Sequence, residues 1–449
     1  MKFILQIINR FFYGNKDLYI FIFVFLGWIL FFISIYRKNK EIDNLKEKLS
    51  EQKVDLKRFK KFRDKNLNKA RQIHQNSLPD KLPQPEGLQM AAYYNPAEQL
   101  GGDYYNVVKI DHGSMDVFFD QYFIYMFDVS GHGLDSAMLS LFINETIENY
   151  FKLRHQEGEL LSPAKILKYI DKQYRNEGYP DDYMVCIFGG VLDVRENNFV
   201  FSSLGFQFPF YHVKNDKIKE LKTGGLPVSS SFDPELIEFQ EKEIKLQENS
   251  FLFFTTDGLY EQKVADEIYG DILKSRLRKT AGLPAPFVSN YIIQDFKDFT
   301  KGRGFKDDIT FLTISSQGDK EKTWQGNSSK EGFKDLKHKI IKYIKENICL
   351  EKEDIIFAFK ELLANACEHG NKLDPDKKVT VKILLKKEKY LMILIEDEGN
   401  GFDWREELQK EFELNREERG RGLALVRRSV DLITYNEKGN QAFILNFLN

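Results

Sequence analysis

The chain changes its hydrophobic rhythm repeatedly from one end to the other. Residues 18–36 (LYIFIFVFLGWILFFISIY) carry no charge. About 19 residues at a 1.5 Å rise span about 28 Å, close to the hydrocarbon thickness of a bilayer, and predict a transmembrane helix. A secretory signal is the competing reading, but the stretch is long for one, lacks a small-residue cleavage pattern after it, and runs directly into Arg37, Lys38 and Lys40. From residue 41 to about residue 77 there is neither proline nor glycine. Leu45, Leu49, Gln52, Leu56, Phe59, Arg63, Asn66, Ala70 and Ile73 fall near heptad a and d spacing. That pattern predicts a helical stalk, either the coiled coil of a parallel homodimer with polar interruptions at Gln52, Arg63 and Asn66, or a solvated single helix. Pro79, Pro83 and Pro85 end it and open a compact domain.

Between about residues 86 and 315, short runs rich in β-branched and aromatic residues alternate with longer helical patterns. Residues 123–129, 184–194, 198–204, 208–213, 251–255 and 309–315 read as strands. Residues 134–153, 163–174 and about 286–299 read as helices. Residues 316–330 (SQGDKEKTWQGNSSK) are polar, break the periodicity and read as a linker. Beyond it the pattern predicts helices over 333–347 and 353–369, a hairpin of 379–385 with 390–395, a helix near 421–430 and a last hairpin through 433–447. That order suggests helices laid on one face of a mixed sheet. The expected organisation is a stub (1–17), the membrane helix (18–36), the stalk (37–78), two α/β (α+β) domains at 79–315 and 331–449, and the linker between them.

Composition adds limits. The chain has 449 residues, 42% hydrophobic and 30% charged, enough for about two or three ordinary cores. Its 66 basic and 68 acidic residues leave a net charge of −2, so no chain-wide field favours nucleic acid as a partner. Cys186, Cys349 and Cys367 are odd in number and far apart, which argues against a disulfide framework and a zinc site. Basic residues after the apolar stretch (Arg37, Lys38, Lys40, Lys46, Lys48, Lys53) outnumber those before it (Lys2, Arg10, Lys16). The positive-inside rule then expects a single-pass protein of the inner (cytoplasmic) membrane with its large domains cytoplasmic and only the stub outside.

Four short acidic motifs carry the first candidate chemistry: Gly101-Gly102-Asp103-Tyr104, Asp128-Val129-Ser130-Gly131-His132-Gly133, Thr255-Thr256-Asp257-Gly258 and Asp307-Asp308-Ile309-Thr310. Each sets a carboxylate at the end of an apolar run, beside glycine or a second acid. Converging carboxylates that hold two hard cations are one solution to phosphate-ester hydrolysis. Singly the motifs say little: Asp257-Gly258 is also a hairpin-turn signal, Asp308 a solvated loop acid, and His132 a turn residue or phosphate neighbour. In this order and spacing, over about residues 70–315, they resemble the SpoIIE type of metal-dependent serine/threonine protein phosphatases (PPM), regulators of partner-switching pathways. The resemblance implies a PPM-type β-sandwich flanked by helices. It also implies a binuclear centre held by Asp103 and Asp128 with the Val129 carbonyl, completed by Asp257 and Asp307. Oxygen-only ligation suits two ions of Mn²⁺ or Mg²⁺. Two departures bear on substrate contacts and turnover: Asn106 stands where the family commonly has a second Asp, and the 203–209 loop (SLGFQFP) replaces the usual Asn-Ala-Gly-His-x-Pro-like one.

The C-terminal region carries Glu361, Asn365 and His369-Gly370, then Asp397-Glu398-Gly399-Asn400-Gly401, then Gly420-Arg421-Gly422. Glu361 and Asn365 lie four apart and so on one helix face. The set resembles the GHKL ATP-binding fold, most closely the anti-sigma-factor serine kinases. On that pattern Asn365 holds Mg²⁺ on the phosphates of ATP, Glu361 is the general base for a serine hydroxyl, and Asp397 accepts from the adenine amino group. Gly399, Gly401, Gly420 and Gly422 let the backbone approach the nucleotide. Sensor histidine kinases share this fold, but His74 and His338, followed by Gln75 and Lys339, lack the acidic neighbour of a phosphoacceptor. The resemblances together imply a phosphatase acting on a phosphorylated STAS-type protein, beside a domain that phosphorylates such a protein, binds a sigma-factor-like partner, or only senses ATP. A binding scaffold with a degenerate metal site remains open at this level.

Overall fold

The computed structural model describes residues 2–3, 6, 16–111, 120–131, 133–154, 161–215, 217–301, 303–316, 322–347, 353–386, 389–404, 422–436 and 438–448. The chain divides into two compact units, Met1–Ile73 and His74–Asn449. Helix α1 (Lys16–Ser77) makes up the described part of the first apart from residues 2–3 and 6. Its side chains from residue 22 to 36 are exposed, Phe23 by 81% and Leu30 by 67%. The stretch is long and apolar enough to cross a membrane by length and composition.

The second unit begins with a sandwich of two five-stranded antiparallel sheets. In chain order it contains β1 (Leu88–Asn95), β2 (Tyr104–Lys109), β3 (Gln121–Val129), α2 (Leu134–Arg154), α3 (Pro163–Glu177), β4 (Val185–Asp193) and β5 (Asn198–Leu204). There follow β6 (Phe210–Lys214), β7 (Lys217–Leu221), β8 (Lys242–Lys245), β9 (Ser250–Thr255), the single turn α4 (Asp257–Tyr260) and the small ladder of β10 (Lys263–Val264) with β11 (Glu267–Ile268). Helices α5 (Tyr269–Lys279) and α6 (Ala285–Thr300) and strand β12 (Ile309–Ser316) close the domain. One sheet runs β1-β12-β9-β6-β7 and the other β2-β3-β4-β5-β8.

The unbroken apolar run of β3 makes sense once both its faces are covered. Successive strand side chains point to opposite faces. Tyr122, Ile124 and Met126 meet Phe188, Phe210 and Phe254 between the sheets, whereas Phe123, Tyr125 and Phe127 pack with Ile143, Ile147 and Ile170 of α2 and α3. Local chemistry sets the helix ends. The Ser162 side chain accepts from the Lys165 N–H at the start of α3, Pro163 occupies the first helical position, and Gly178 closes the helix at φ 66°.

The last domain is one five-stranded sheet, β13-β14-β15-β17-β16, with helices. Its elements are β13 (Lys322–Asn327), α7 (Lys330–Asn347), α8 (Glu353–Ala364), a π-helical segment (Asn365–Gly370), β14 (Lys378–Lys386), β15 (Tyr390–Asp397), α9 (Gly422–Ser429), β16 (Leu432–Tyr435) and β17 (Gln441–Phe447). Three sequence expectations need correction here. The polar stretch 316–330 is not all linker: Lys322–Asn327 pairs with β14 as an edge strand, and its mostly exposed side chains conceal it from hydrophobic patterning. The sheet is antiparallel in every described pairing rather than mixed. The helix expected over 353–369 stops at Ala364 and widens into the π-helical segment, where the Asn371 N–H reaches back to the Ala366 carbonyl at 2.9 Å.

Phe188 lies at the centre of the sandwich, its ring 4.6 Å from Phe254, 4.9 Å from Phe210 and 5.8 Å from Phe201 between centroids. Phe188→Ala is expected to cost about 3–5 kcal/mol of unfolding free energy, measured by urea titration, because the surrounding rings cannot collapse into the space it leaves.

Candidate functional site

The acidic motifs meet at one end of the sandwich because each ends or begins a neighbouring strand. Asp103 precedes β2, Asp128 lies at the end of β3, Asp257 opens α4 after β9, and Asp307 and Asp308 lead into β12. Asp103 is buried at 1% exposure. Its Oδ2 accepts from the Thr256 hydroxyl at 2.8 Å and the Thr310 hydroxyl at 2.6 Å. Asp128 and Asp257 are half-buried, Asp307 lies on the exposed rim, and Val129 is fully buried. Gly102 passes so close beneath that a Cβ there would lie 2.5 Å from the Val129 carbonyl oxygen, which leaves room for glycine alone.

Asp308, which sequence reasoning allowed as a solvated loop acid, is buried at 3%. Its Oδ2 accepts from the Gly102 N–H at 2.7 Å and its Oδ1 from the Ala97 N–H at 2.8 Å, which ties the first acidic motif to the fourth. The Asp pair ahead of an apolar strand was the available signal, but burial of its second member depends on the bare glycines of a motif some two hundred residues away.

Burial, followed by the charges of Asp128 and Asp308, pushes the Asp103 carboxyl well above the usual carboxylate range. Burial, then Asp257, Asp307 and Asp308, does the same to Asp128. Asp257 is raised to about 6 by burial and then by Asp307 and Glu261. Such a cluster favours either protons or a compensating cation. Asp128 feels the charges of both Asp257 and Asp307, and among the described residues no three His, Cys, Asp or Glu side chains are already drawn into a cage. The donor set of carboxylates and a backbone carbonyl fits hard divalent cations such as Mn²⁺ or Mg²⁺.

The departures noted in the sequence have structural explanations. Asn106 is engaged away from the acids, donating to Tyr125 OH at 3.3 Å and accepting from the Val107 N–H at 2.8 Å. Phe206 is buried against Phe210, with ring centroids 5.2 Å apart, and Phe208 stacks on Tyr260 of α4 at 5.1 Å. Phe206 and Phe208 thus anchor the 203–209 loop in the core, while Gln207 between them is exposed. Of the remaining motif residues, His132 lies outside the described residues. His74 is buried at 2% exposure, with Nε2 3.0 Å from Ser140 Oγ, and burial holds its pKa below the ordinary value, an environment unlike that of a surface phosphoacceptor. Of the cysteines, Cys367 is buried, Cys186 is half-buried and Cys349 lies outside the described residues.

The C-terminal motifs line one cavity of about 990 Å³, which includes Glu361, Asn365, Asp397, Gly401, Gly422 and Tyr435. Gly420 lies outside the described residues. Asp397 is buried at the end of β15 and accepts from the Gly399 N–H at 2.8 Å. Burial is the leading cause of its raised pKa, which the Gly399 N–H and Lys438 oppose. Gly401 sits at φ +75° with the Lys438 carbonyl where a Cβ would be. Two further residues that the sequence did not single out hold this end together. Asn371, fully buried, donates to Ser328 Oγ and the Lys378 carbonyl at 2.8 and 2.9 Å and accepts from the Glu398 N–H at 2.8 Å. Asn440 donates to the Asp397 carbonyl at 2.8 Å. The size of the cavity and its single buried carboxylate among glycines fit an adenine nucleotide.

Comparison with known proteins agrees with both halves of this geometry. Residues 120–317 match the family described as Stage II sporulation protein E (SpoIIE), and residues 347–444 match the histidine kinase-like ATPase domain. The chain carries a SpoIIE domain followed by a histidine kinase-like ATPase domain. It is homologous to the phosphoserine phosphatases RsbP and RsbU of Bacillus subtilis (strain 168). It is 25% identical to RsbP over 220 residues, 48% of this chain and 50% of RsbP, and 25% identical to RsbU over 193 residues, 43% of this chain and 52% of RsbU. The chain therefore spans about half the length of these curated relatives. Among solved structures, the SiaA-PP2C domain of Pseudomonas aeruginosa aligns at 20% identity and a TM-score of 0.48, over 58% of this chain and 98% of that one.

Asp308 holds the backbone at Gly102 and Asp103, so Asp308→Ala in the SpoIIE domain is expected to weaken Mn²⁺ binding about 10- to 100-fold by titration calorimetry. Asp308→Asn, which keeps one acceptor oxygen, is expected to fall between the variant and the parent.

Proposed function

We propose that this chain is a membrane-anchored, metal-dependent protein serine/threonine phosphatase whose ATPase domain binds Mg²⁺-ATP. The observation that carries the reading is the gathering of Asp103, Asp128, Asp257 and Asp307 at one end of the SpoIIE domain, where burial and mutual repulsion call for cations. Homology to two phosphoserine phosphatases supports the same reading. Asp103 and Asp128 with the Val129 carbonyl would hold the ions, and Asp257 and Asp307 would complete the set. Bound there, Mn²⁺ or Mg²⁺ would supply Lewis-acid activation of water and neutralise charge on a phosphoryl group. Thr256 and Thr310 hold the Asp103 carboxylate in one orientation, and Asp308 fixes the backbone that carries it.

The phosphorylated substrate is proposed to be a STAS-type protein of a partner-switching pathway. The ATPase domain would rephosphorylate such a protein or engage a sigma-factor-like partner. In that domain Asn365 would hold Mg²⁺ on the phosphates, Asp397 would accept from the adenine amino group, and Gly399, Gly401, Gly420 and Gly422 would allow close backbone approach. Glu361, in the same cavity, would take the proton of an incoming serine hydroxyl. The exposed apolar positions of α1 support the remaining parts of the proposal: residues 22–36 as a single span of the cytoplasmic membrane, and Leu45, Leu49, Leu56 and Phe59 as the seam of a homodimeric stalk.

The test uses the full chain in detergent with Mn²⁺, ATP, para-nitrophenyl phosphate and a phosphorylated STAS-domain protein. Asp128→Ala is expected to lower both hydrolytic rates by about 100-fold or more. Asn365→Ala is expected to abolish ATP binding and leave para-nitrophenyl phosphate hydrolysis unchanged. Glu361→Gln is expected to abolish phosphate transfer from ATP to the STAS protein while ATP still binds. Unchanged hydrolysis in Asp128→Ala would replace this reading with that of a scaffold. ATP binding without transfer in the parent chain would make the second domain a nucleotide sensor.

A further inference from the structure

The sheet of the ATPase domain has two apolar faces, and its own helices cover one. Along β15, Leu391, Ile393 and Ile395 turn toward α7 and α8 and pack with Ile340, Phe359 and Leu362. Tyr390 and Met392 alternate to the opposite face. There, with Leu384, Leu432 and Leu445, they share a core with α5 and α6 of the SpoIIE domain, and none of these five sheet side chains is more than 5% exposed. Tyr390 OH donates to the Gly282 carbonyl at 2.7 Å. Phe443 meets the ring of Phe287 edge-on at 5.0 Å, Phe447 meets Tyr291 at 5.7 Å, and the Lys279 ammonium lies 4.4 Å above Phe447.

The same two helices bury their other side against Phe253, Ile309 and Phe311, strands that start or end beside Asp257 and Asp307. β15 in turn ends at Asp397 in the nucleotide cavity. Domains joined only by a tether move independently, whereas a dry, continuous core does not separate without exposing apolar surface on both sides. We infer that the outer face of the ATPase sheet is an interaction surface whose partner is the SpoIIE domain of the same chain. The two domains therefore form one cooperative folding unit, and a ligand bound by either stabilises the other. The ligand part of this inference rests on the proposed metal site; the cooperative unit does not. Linkage then requires reciprocity, so nucleotide affects the SpoIIE domain as ions affect the ATPase domain.

The tryptophans make this readable in the full chain. Of the three, Trp28 lies in the N-terminal helix and Trp324 and Trp404 in the ATPase domain, so changes in folded-domain emission report the ATPase domain alone. In detergent and urea, tryptophan emission and the amide-exchange protection of β3 and β4 are expected to be lost at the same midpoint. Tyr291→Asp, which places a charge in the interface without opening the sandwich between the sheets, is expected to separate the two midpoints. The milder Tyr390→Phe is expected to lower them together. Separate transitions in the parent chain, or coincident ones in Tyr291→Asp with the variant folded, overturn the inference. Mn²⁺ without nucleotide, at 100 times its dissociation constant, is expected to raise the tryptophan-reported melting midpoint by about 3 °C. Asp128→Asn is expected to remove that shift. Calorimetrically bound Mn²⁺ with no shift overturns the coupling. Absence of any Mn²⁺ binding sinks the metal reading instead, and the urea midpoints still decide the cooperative unit.

Discussion

A buried carboxylate is tolerated only where donors or counter-charges surround it, and the SpoIIE domain is organised around that requirement. Asp103 sits at the base of the site with two threonine hydroxyls on one oxygen, and Asp308 beside it takes the backbone N–H groups of Gly102 and Ala97. These bonds fix the relative positions of the segments that carry the first, third and fourth motifs. They also explain the glycines, because a side chain at Gly101 would collide with the Asp308 carboxylate and one at Gly102 with the Val129 carbonyl. What the donors leave uncompensated is the repulsion among Asp103, Asp128, Asp257 and Asp307. That residual charge is the physical basis for reading the site as a cation site.

The rest of the unit follows from strands that are apolar on both faces. Once two sheets pair through Phe188, Phe210 and Phe254, each outer face still needs a cover. On one side α2 and α3 supply it, and on the other α5 and α6 do. The second helix pair is itself covered by the ATPase sheet, so the order of layers continues from one domain into the next. Both candidate sites lie at strand ends of this stack. Rigid strands end there and backbone groups become free to turn toward a ligand.

Apolar packing holds the altered 203–209 loop. Phe206 joins the aromatic core beside Phe210, and Phe208 lies on the face of Tyr260. The first acids keep their partners, because Asp103 and Asp308 take none of their hydrogen bonds from that loop.

Periodicity and motif order, both local properties, made much of this protein legible in its sequence. The alternation and length of the apolar runs marked β3, β4, β5, β9 and β12 and the helices α2, α3 and α6. Four acids picked out at strand ends gather at one end of the sandwich, and Glu361, Asn365 and Asp397 line one cavity. What escaped depended on partners distant in the chain. The edge strand Lys322–Asn327 exposes most of its side chains and is defined by pairing with β14. Asp308 and Asn371 look like ordinary loop residues until glycines and backbone N–H groups from other segments enclose them. The contact between the two domains was equally hidden, since an apolar residue such as Tyr390 or Leu445 declares that it will be buried but not against what. Short-range sterics and hydrophobic rhythm select elements and their ends. Which apolar faces meet, and which buried acids acquire donors, is decided only when the whole chain has closed around them.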